Sequence, residues 1–217
     1  MDRAQYANLA KCWEFTEEHA RERESEDLLE ARTVADQVGL PQSSSAQAQL
    51  LAAFVRMSGA SSVIAVGTAS LVETLQLVNA LDHHGQLTAV DSSAQGIALI
   101  RKAFATLQDN TDTSLRAVNA PASVFLPRLN AHDYDLIVVA GDIENYSATF
   151  AQASRLLRDH GTIVFTDALA DGGVVNPADR GDKAVAMREL IATVEEDHEF
   201  DSTLTPDGTG LLIAVKR

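Results

Sequence analysis

The sequence predicts an α/β fold: a doubly wound, mostly parallel sheet that ends in an antiparallel hairpin and is preceded by helices. Three observations carry this. From residue 61, short β-rich runs alternate with helical stretches five times, the rhythm of parallel strands joined by crossover helices. The runs VIAV, DLIVVA and TIVF are apolar without alternation, as strands covered on both faces must be. Residues 200–217, FDSTLTPDGTGLLIAVKR, break the rhythm, because two strand-like runs flank the hairpin turn signal PDGTG. A length of 217 residues with 46% hydrophobic and 22% charged side chains suits one domain with a full core.

Taken in order, residues 1–58 read as helices. Glu and Arg recur at helical spacing through 17–32, which gives that stretch a solvated face. VGLPQSSS (38–45) breaks the pattern, and its serines suit the cap of a helix over 46–59 that Gly59 terminates. The core, 61–217, then runs SSVIAVG and TASLVETLQLVNAL; QLTAVD and SSAQGIALIRKAFATL; TSLRAVNA and PASVFLPRL; YDLIVVAGD and NYSATFAQASRLLRD; GTIVFTDAL and DKAVAMRELIATVEED. Right-handed crossovers between such units make an open sheet with helices on both faces.

The totals exclude several functions. A net charge of −14 repels phosphate backbones, so nucleic acid is not expected as a partner. A single cysteine, Cys12, leaves neither a disulfide within the chain nor a CxxC metal site. The first residues are charged throughout, unlike a secretory signal, and apolar runs such as LIVVA are too short for a bilayer. The expectation is a cytoplasmic protein with no membrane partner.

In an open parallel sheet, ligands bind beyond the carboxyl ends of the strands. That points to Gly67-Thr68, Asp91-Ser92, Asn119-Ala120, Ala140-Gly141-Asp142 and Asp167-Ala168. Gly67 either lets the backbone approach a ligand or serves a plain strand-to-helix turn. GTASLV lacks the later glycines of the dinucleotide fingerprint and the Gly-Lys-Ser/Thr of a phosphate loop. Asp91, after the second strand, suits the two hydroxyls of a ribose, or else a cap for the helix that follows. Gly67 and Asp91 together suggest an adenosine-type cofactor without a pyrophosphate. Asp142 and Asp167 fit either a hard cation or solvated capping carboxylates. The histidines at 83, 84, 132, 160 and 198 fall in loops or at helix ends, and no GxSxG nucleophile elbow occurs.

At this point the chain, over about residues 20–217, resembles the cation-dependent O-methyltransferases, the group of the catechol and caffeoyl-coenzyme A enzymes and their small bacterial relatives. QAQLLAAFVRMSGASSVIAVGT, LTAVDSSAQGIALIRKAF, YDLIVVAGDIENY, LLRDHGTIVFTDAL and DGTGLLIAVKR follow that family's order and spacing. The resemblance implies a Rossmann-like methyltransferase fold that binds S-adenosylmethionine, usually as a homodimer. It implies cofactor contacts at Ser43, Gly67, Thr68, Ala69, Glu73, Asp91, Ser92, Asn119, Ala120 and Ala140. It also marks departures. The family's second loop glycine is Leu71, and the serine that holds the cofactor carboxylate is Glu73. After strand four, the metal-binding Asp and the Lys are Ala140 and Ile143; after strand five, Asp167 is kept but its Asn partner is Ala168.

A hard cation held by one carboxylate binds weakly, so no metal is expected. The expected reaction is methyl transfer to a hydroxyl of a small molecule, with Asp142, Asp167 or Asp171 as the base. The alternative is a ligand-binding or regulatory protein on a methyltransferase scaffold, because a charged Glu73 would repel the cofactor carboxylate. DGGVVNPADRGD (171–182) reads as a lid over the site or as a solvated connection.

Overall fold

A computed structural model describes residues 3–67, 71–108 and 111–217, with side chains from Ala7 onward. Three helices come first: α1 (Arg3–Arg21), α2 (Glu26–Val38) and α3 (Ser45–Ser58). The break between α2 and α3 falls where proline and serines stand. The Ser44 side chain accepts the Gln47 N–H, and Gly59, at φ 63°, closes the helix with its N–H on the last carbonyls. Glu17 of α1 reaches across and accepts the N–H groups of Ser45 and Ala46, so α1 also caps α3.

The core follows: β1 (Ser62–Val66), α4 (Leu71–Ala80), β2 (Gln86–Asp91), α5 (Ala94–Leu107), β3 (Ser114–Asn119), α6 (Ala122–Phe125) and β4 (Tyr134–Val139). Then come α7 (Glu144–Leu156), β5 (Leu157–Phe165), α8 (Asp182–Glu196), β6 (Phe200–Thr205) and β7 (Leu211–Lys216). The sheet order is β3-β2-β1-β4-β5-β7-β6. β1 to β5 are parallel, and β7 pairs antiparallel with both β5 and β6. The chain leaves β1 toward one edge, returns, and continues from β4 toward the other. The switch point therefore lies between β1 and β4.

Alternation along the strands divides the core. Val63, Ala65, Leu87, Ala89, Leu136 and Val138 pack under α2–α5. Ile64, Val66, Val90, Ile137, Val139 and Phe165 pack under α6, α7 and α8. Both sets are buried, which is why these strands read as unbroken apolar runs.

Two expectations are corrected. The third crossover, read as a helix over PASVFLPRL, is one short helix followed by a 3-10 turn, Leu126–Arg128, that contains Pro127. The helix read through Asp159 ends at Leu156. The Arg155 and Leu156 carbonyls accept the N–H groups of His132 and Asp133, and the chain becomes β5 at Leu157. His160 thus lies inside β5, at φ 64°, where the pairing with β4 slips register.

Candidate active site

The carboxyl ends of β1, β4 and β5 open into a cleft of about 260 Å³. The α2–α3 break supplies Pro41, Gln42 and Ser43; α3 adds Gln47, and the first turn of α4 adds Glu73. Ala140 and Gly141 follow β4, while Thr166, Asp167 and Asp171 follow β5. Lys183, in the first turn of α8, and Thr209, at the hairpin tip, complete the wall.

Gly67 stands at the switch point. A Cβ there would lie 1.9 Å from the Ala140 carbonyl oxygen, and its φ of 136° disfavours any other residue. Its N–H donates to the Val90 carbonyl while the Ala140 N–H donates to Val66, so the turn is locked between two strand ends. The glycine is thus required by the neighbouring strand, whatever ligand it approaches. Thr68 and Ala69 lie outside the described residues.

Asp91 is buried at the end of β2, and its Oδ1 accepts the Ser93 N–H at 2.6 Å. The cap of α5 is Ser93, whose hydroxyl accepts the Gly96 N–H, so the capping role foreseen for Asp91 belongs to its neighbour. Asn119 donates from Nδ2 to the Asp91 carbonyl, and the Ala120 N–H donates to the same oxygen, tying the ends of β2 and β3 together. Ser92 is exposed beside them. This group sits along the same edge of the sheet as the cleft.

Glu73 is 3% exposed and turns into the cleft. Its Oε1 accepts the Ser43 N–H at 2.7 Å, and its Oε2 is buried with no hydrogen-bond partner among the described residues. Burial pushes its pKa up, against the pull of its own N–H, the Ser43 groups and Arg32. Arg32, missed in the sequence, holds this wall. It forks onto Glu24, donates to Gln42 Oε1, and reaches the Ser43 carbonyl at 2.7 Å.

At the other wall, Asp167 and Asp171 both face Lys183. Lys183 Nζ is in contact with Asp167 Oδ2 and lies 3.7 Å from Asp171 Oδ2. Partial burial lowers the Lys183 pKa, but the hydrogen bond and charge of Asp167, then Asp171, outweigh it, and the net shift is upward. Asp167, Ala170 and Asp171 have φ of 58°, 49° and 52°, left-handed conformations that cost an alanine about 1–2 kcal/mol. The turn is held by Ala168 N–H on the Gly210 carbonyl and Leu169 N–H on Thr209. Asp167 Oδ1 is buried and has no hydrogen-bond partner among the described residues. Beneath it, the buried Tyr146 hydroxyl donates to the Thr166 carbonyl, its pKa raised by burial and then by Asp167.

Asp142 is exposed at the start of α7 and is not among the cleft-lining residues. Arg188 of α8 fastens the 171–182 loop, donating to the carbonyls of Gly173, Asn176 and Asp179. Lys183 was missed although a signal existed. A cation in the first turn of a helix opposes the helix dipole, which is tolerable when carboxylates face it. The cleft offers a divalent metal few ready ligands. Ala140 and Ala168 supply no side-chain oxygen, Asp167 is engaged by an ammonium, and among the described residues no three His, Cys, Asp or Glu side chains gather as ligands. Among the described residues no helix is long and apolar enough to cross a membrane.

The family profile described as O-methyltransferase matches residues 16–217. A protein of Mycobacterium tuberculosis (strain ATCC 25618 / H37Rv) named "Probable O-methyltransferase" is 32% identical over 200 residues, covering 91% of this chain and 89% of its own. Among solved structures, an O-methyltransferase from Bacillus cereus in complex with SAH superposes with a TM-score of 0.77 at 19% identity, covering 89% of this chain and 92% of that one. The O-methyltransferase TomG from Streptomyces achromogenes, in complex with SAM, gives 0.74 at 19% identity, covering 89% and 91%. At these identities the structural likeness speaks for the fold alone.

Proposed function

This chain belongs to the O-methyltransferase family, and on that premise we propose that it transfers a methyl group from S-adenosylmethionine to a hydroxyl of a small molecule without a divalent metal. The observation that carries the reading is the strand-end cleft lined by Glu73, Asp167 and Lys183 beside the Gly67 turn. The cofactor's adenosine would lie along Gly67, Thr68, Ala69, Asp91, Ser92, Asn119 and Ala120, with Asp91 toward the ribose hydroxyls. Its amino-acid end would reach Ser43, Glu73 and Ala140. The cofactor supplies an activated methyl on a sulfonium. The chain's own residues need only align an oxygen, exclude water and accept a proton.

Glu73 is compatible with this placement because burial favours its neutral form, and a neutral carboxyl donates to a carboxylate instead of repelling it. Asp167 and Asp171 line the cleft and are the candidate bases, whereas Asp142 stands outside it. Metal independence is supported by the ammonium on Asp167 and the apolar residues at Ala140 and Ala168. Calorimetry with S-adenosylmethionine and its product should give micromolar binding, and EDTA should leave methyl transfer unchanged. No binding up to millimolar concentrations would instead favour a regulatory scaffold. Loss of rate with EDTA, restored by magnesium, would end the metal-free reading.

A further inference from the structure

We propose that Lys183 is the site's own cation: it receives the substrate oxygen while Asp167 accepts the hydroxyl proton, and its presence keeps a divalent metal out. Three features of this cluster point there. The ammonium sits between two carboxylates, Asp167 and Asp171, on the wall of the cleft. An ammonium has three N–H groups, and these two carboxylates engage two directions, which leaves one for a ligand. Asp167 offers a second oxygen, Oδ1, buried and with no partner among the described residues. A hydroxyl group placed beside the ammonium accepts from Lys183 and donates to the Asp167 carboxylate, whose Oδ2 faces Lys183.

The second feature is the strained turn. Left-handed conformations at Asp167, Ala170 and Asp171 persist where the hairpin tip holds Ala168 and Leu169 and Lys183 of α8 holds Asp167. Strain of this kind collects where geometry serves a site. The third is the position of Lys183 in the first turn of α8, where the helix dipole opposes a positive charge. The two carboxylates offset that penalty.

The inference rests on the methyltransferase reading for its chemistry, and the step balances. The substrate hydroxyl gives its proton to Asp167 as an oxygen electron pair forms the bond to the methyl carbon. The carbon–sulfur bond of the donor breaks and its pair stays on sulfur. A carboxylate and a sulfonium become a carboxylic acid and a thioether, and the alcohol or phenol becomes an ether. Lys183 stays protonated throughout and stabilises the charge that gathers on oxygen before the new bond is complete.

The test uses the full chain and two probes. Mn2+ alone is titrated by electron paramagnetic resonance into the wild type, Lys183→Ala and Lys183→Met. Removal of the ammonium frees two carboxylates, so both variants should bind Mn2+ at least about tenfold more tightly than the wild type. Equal affinity in all three proteins overturns the proposal. The second probe is 4-nitrophenol, whose visible band reports ionisation of its hydroxyl. At a pH below the probe's own pKa, the wild type and Lys183→Arg should raise the phenolate band and Lys183→Met should not. A band that is absent with the wild type, or identical with Lys183→Met, also overturns it. Thermal melts select whichever of the Ala and Met variants keeps the fold. Failure of the wild type to bind S-adenosylmethionine would defeat the methyltransferase reading, and the Mn2+ contrast would still decide whether Lys183 stands in for a metal.

Discussion

Gly67 and Glu73 are each fixed by a partner distant in sequence, the Ala140 carbonyl for the first and the Ser43 N–H for the second. The sequence offered Gly67 as a ligand approach or a turn. The Ala140 carbonyl, which any Cβ would strike, shows that the constraint comes from an adjacent strand distant in sequence. Glu73 raised a charge problem, and its burial with one oxygen on the Ser43 N–H gives the problem a sign. The folded state holds this proton more tightly than the unfolded chain does. The stability it contributes is therefore complete below the ordinary glutamate range and is lost as pH rises through the raised folded value. Glu73→Gln keeps the acceptor and cannot ionise. Relative to the wild type it should gain about 1–3 kcal/mol between mildly acidic and alkaline pH, read by urea unfolding. Parallel pH dependence of the two proteins would mean that Glu73 is not protonated in the fold.

Among the elements, those with a strong period were readable and the junctions were not. α3 was displaced by one residue at each end from its expected span, because Ser44 and Gly59 announce its caps. The α7–β5 boundary was misread because the helix is ended by His132 and Asp133, which come from the loop before β4 and carry no local signal. Asp135 shows the same dependence on distant partners, at the amino ends of β1 and β4. Its Oδ2 accepts the N–H groups of Ser61 and Ser62, and its Oδ1 pairs with Arg158 at 2.6 Å. Partial burial pushes its pKa up, but the Ser61 N–H, Arg158 and the Ser62 N–H outweigh it and the net shift is down. Its stabilisation is present above the ordinary aspartate range and is lost as pH falls through the lowered folded value. Asp135→Asn should therefore cost about 1–3 kcal/mol at neutral pH, with the deficit closing in acid. A deficit independent of pH would assign the effect to packing.

At the scale of the whole molecule, the topology was legible because it follows from alternation and chain order, and Glu73, Asp167 and Asp171 were each singled out, whereas their meeting with Lys183 was not. A lysine, two aspartates and a glutamate become one site only when α4, α8 and the turn after β5 converge at the switch point, and no spacing in the sequence encodes that convergence. The charge of the whole chain acts on the same place. A net charge of −14 surrounds a cleft in which two carboxylates, Asp167 and Asp171, outnumber the one lysine even with Glu73 neutral. Such a field favours a cation over a neutral ligand of the same shape. S-adenosylmethionine carries one net positive charge and its demethylated product carries none, so the field should bind the donor preferentially and release the product. Screening exposes the effect. Between about 0.05 and 0.5 M salt, affinity for S-adenosylmethionine should fall about two- to fivefold while that for the product stays nearly level. Calorimetry at both salt concentrations measures the difference. Equal salt dependence for the two ligands would confine cofactor discrimination to short-range contacts and remove any role for the net charge of the chain.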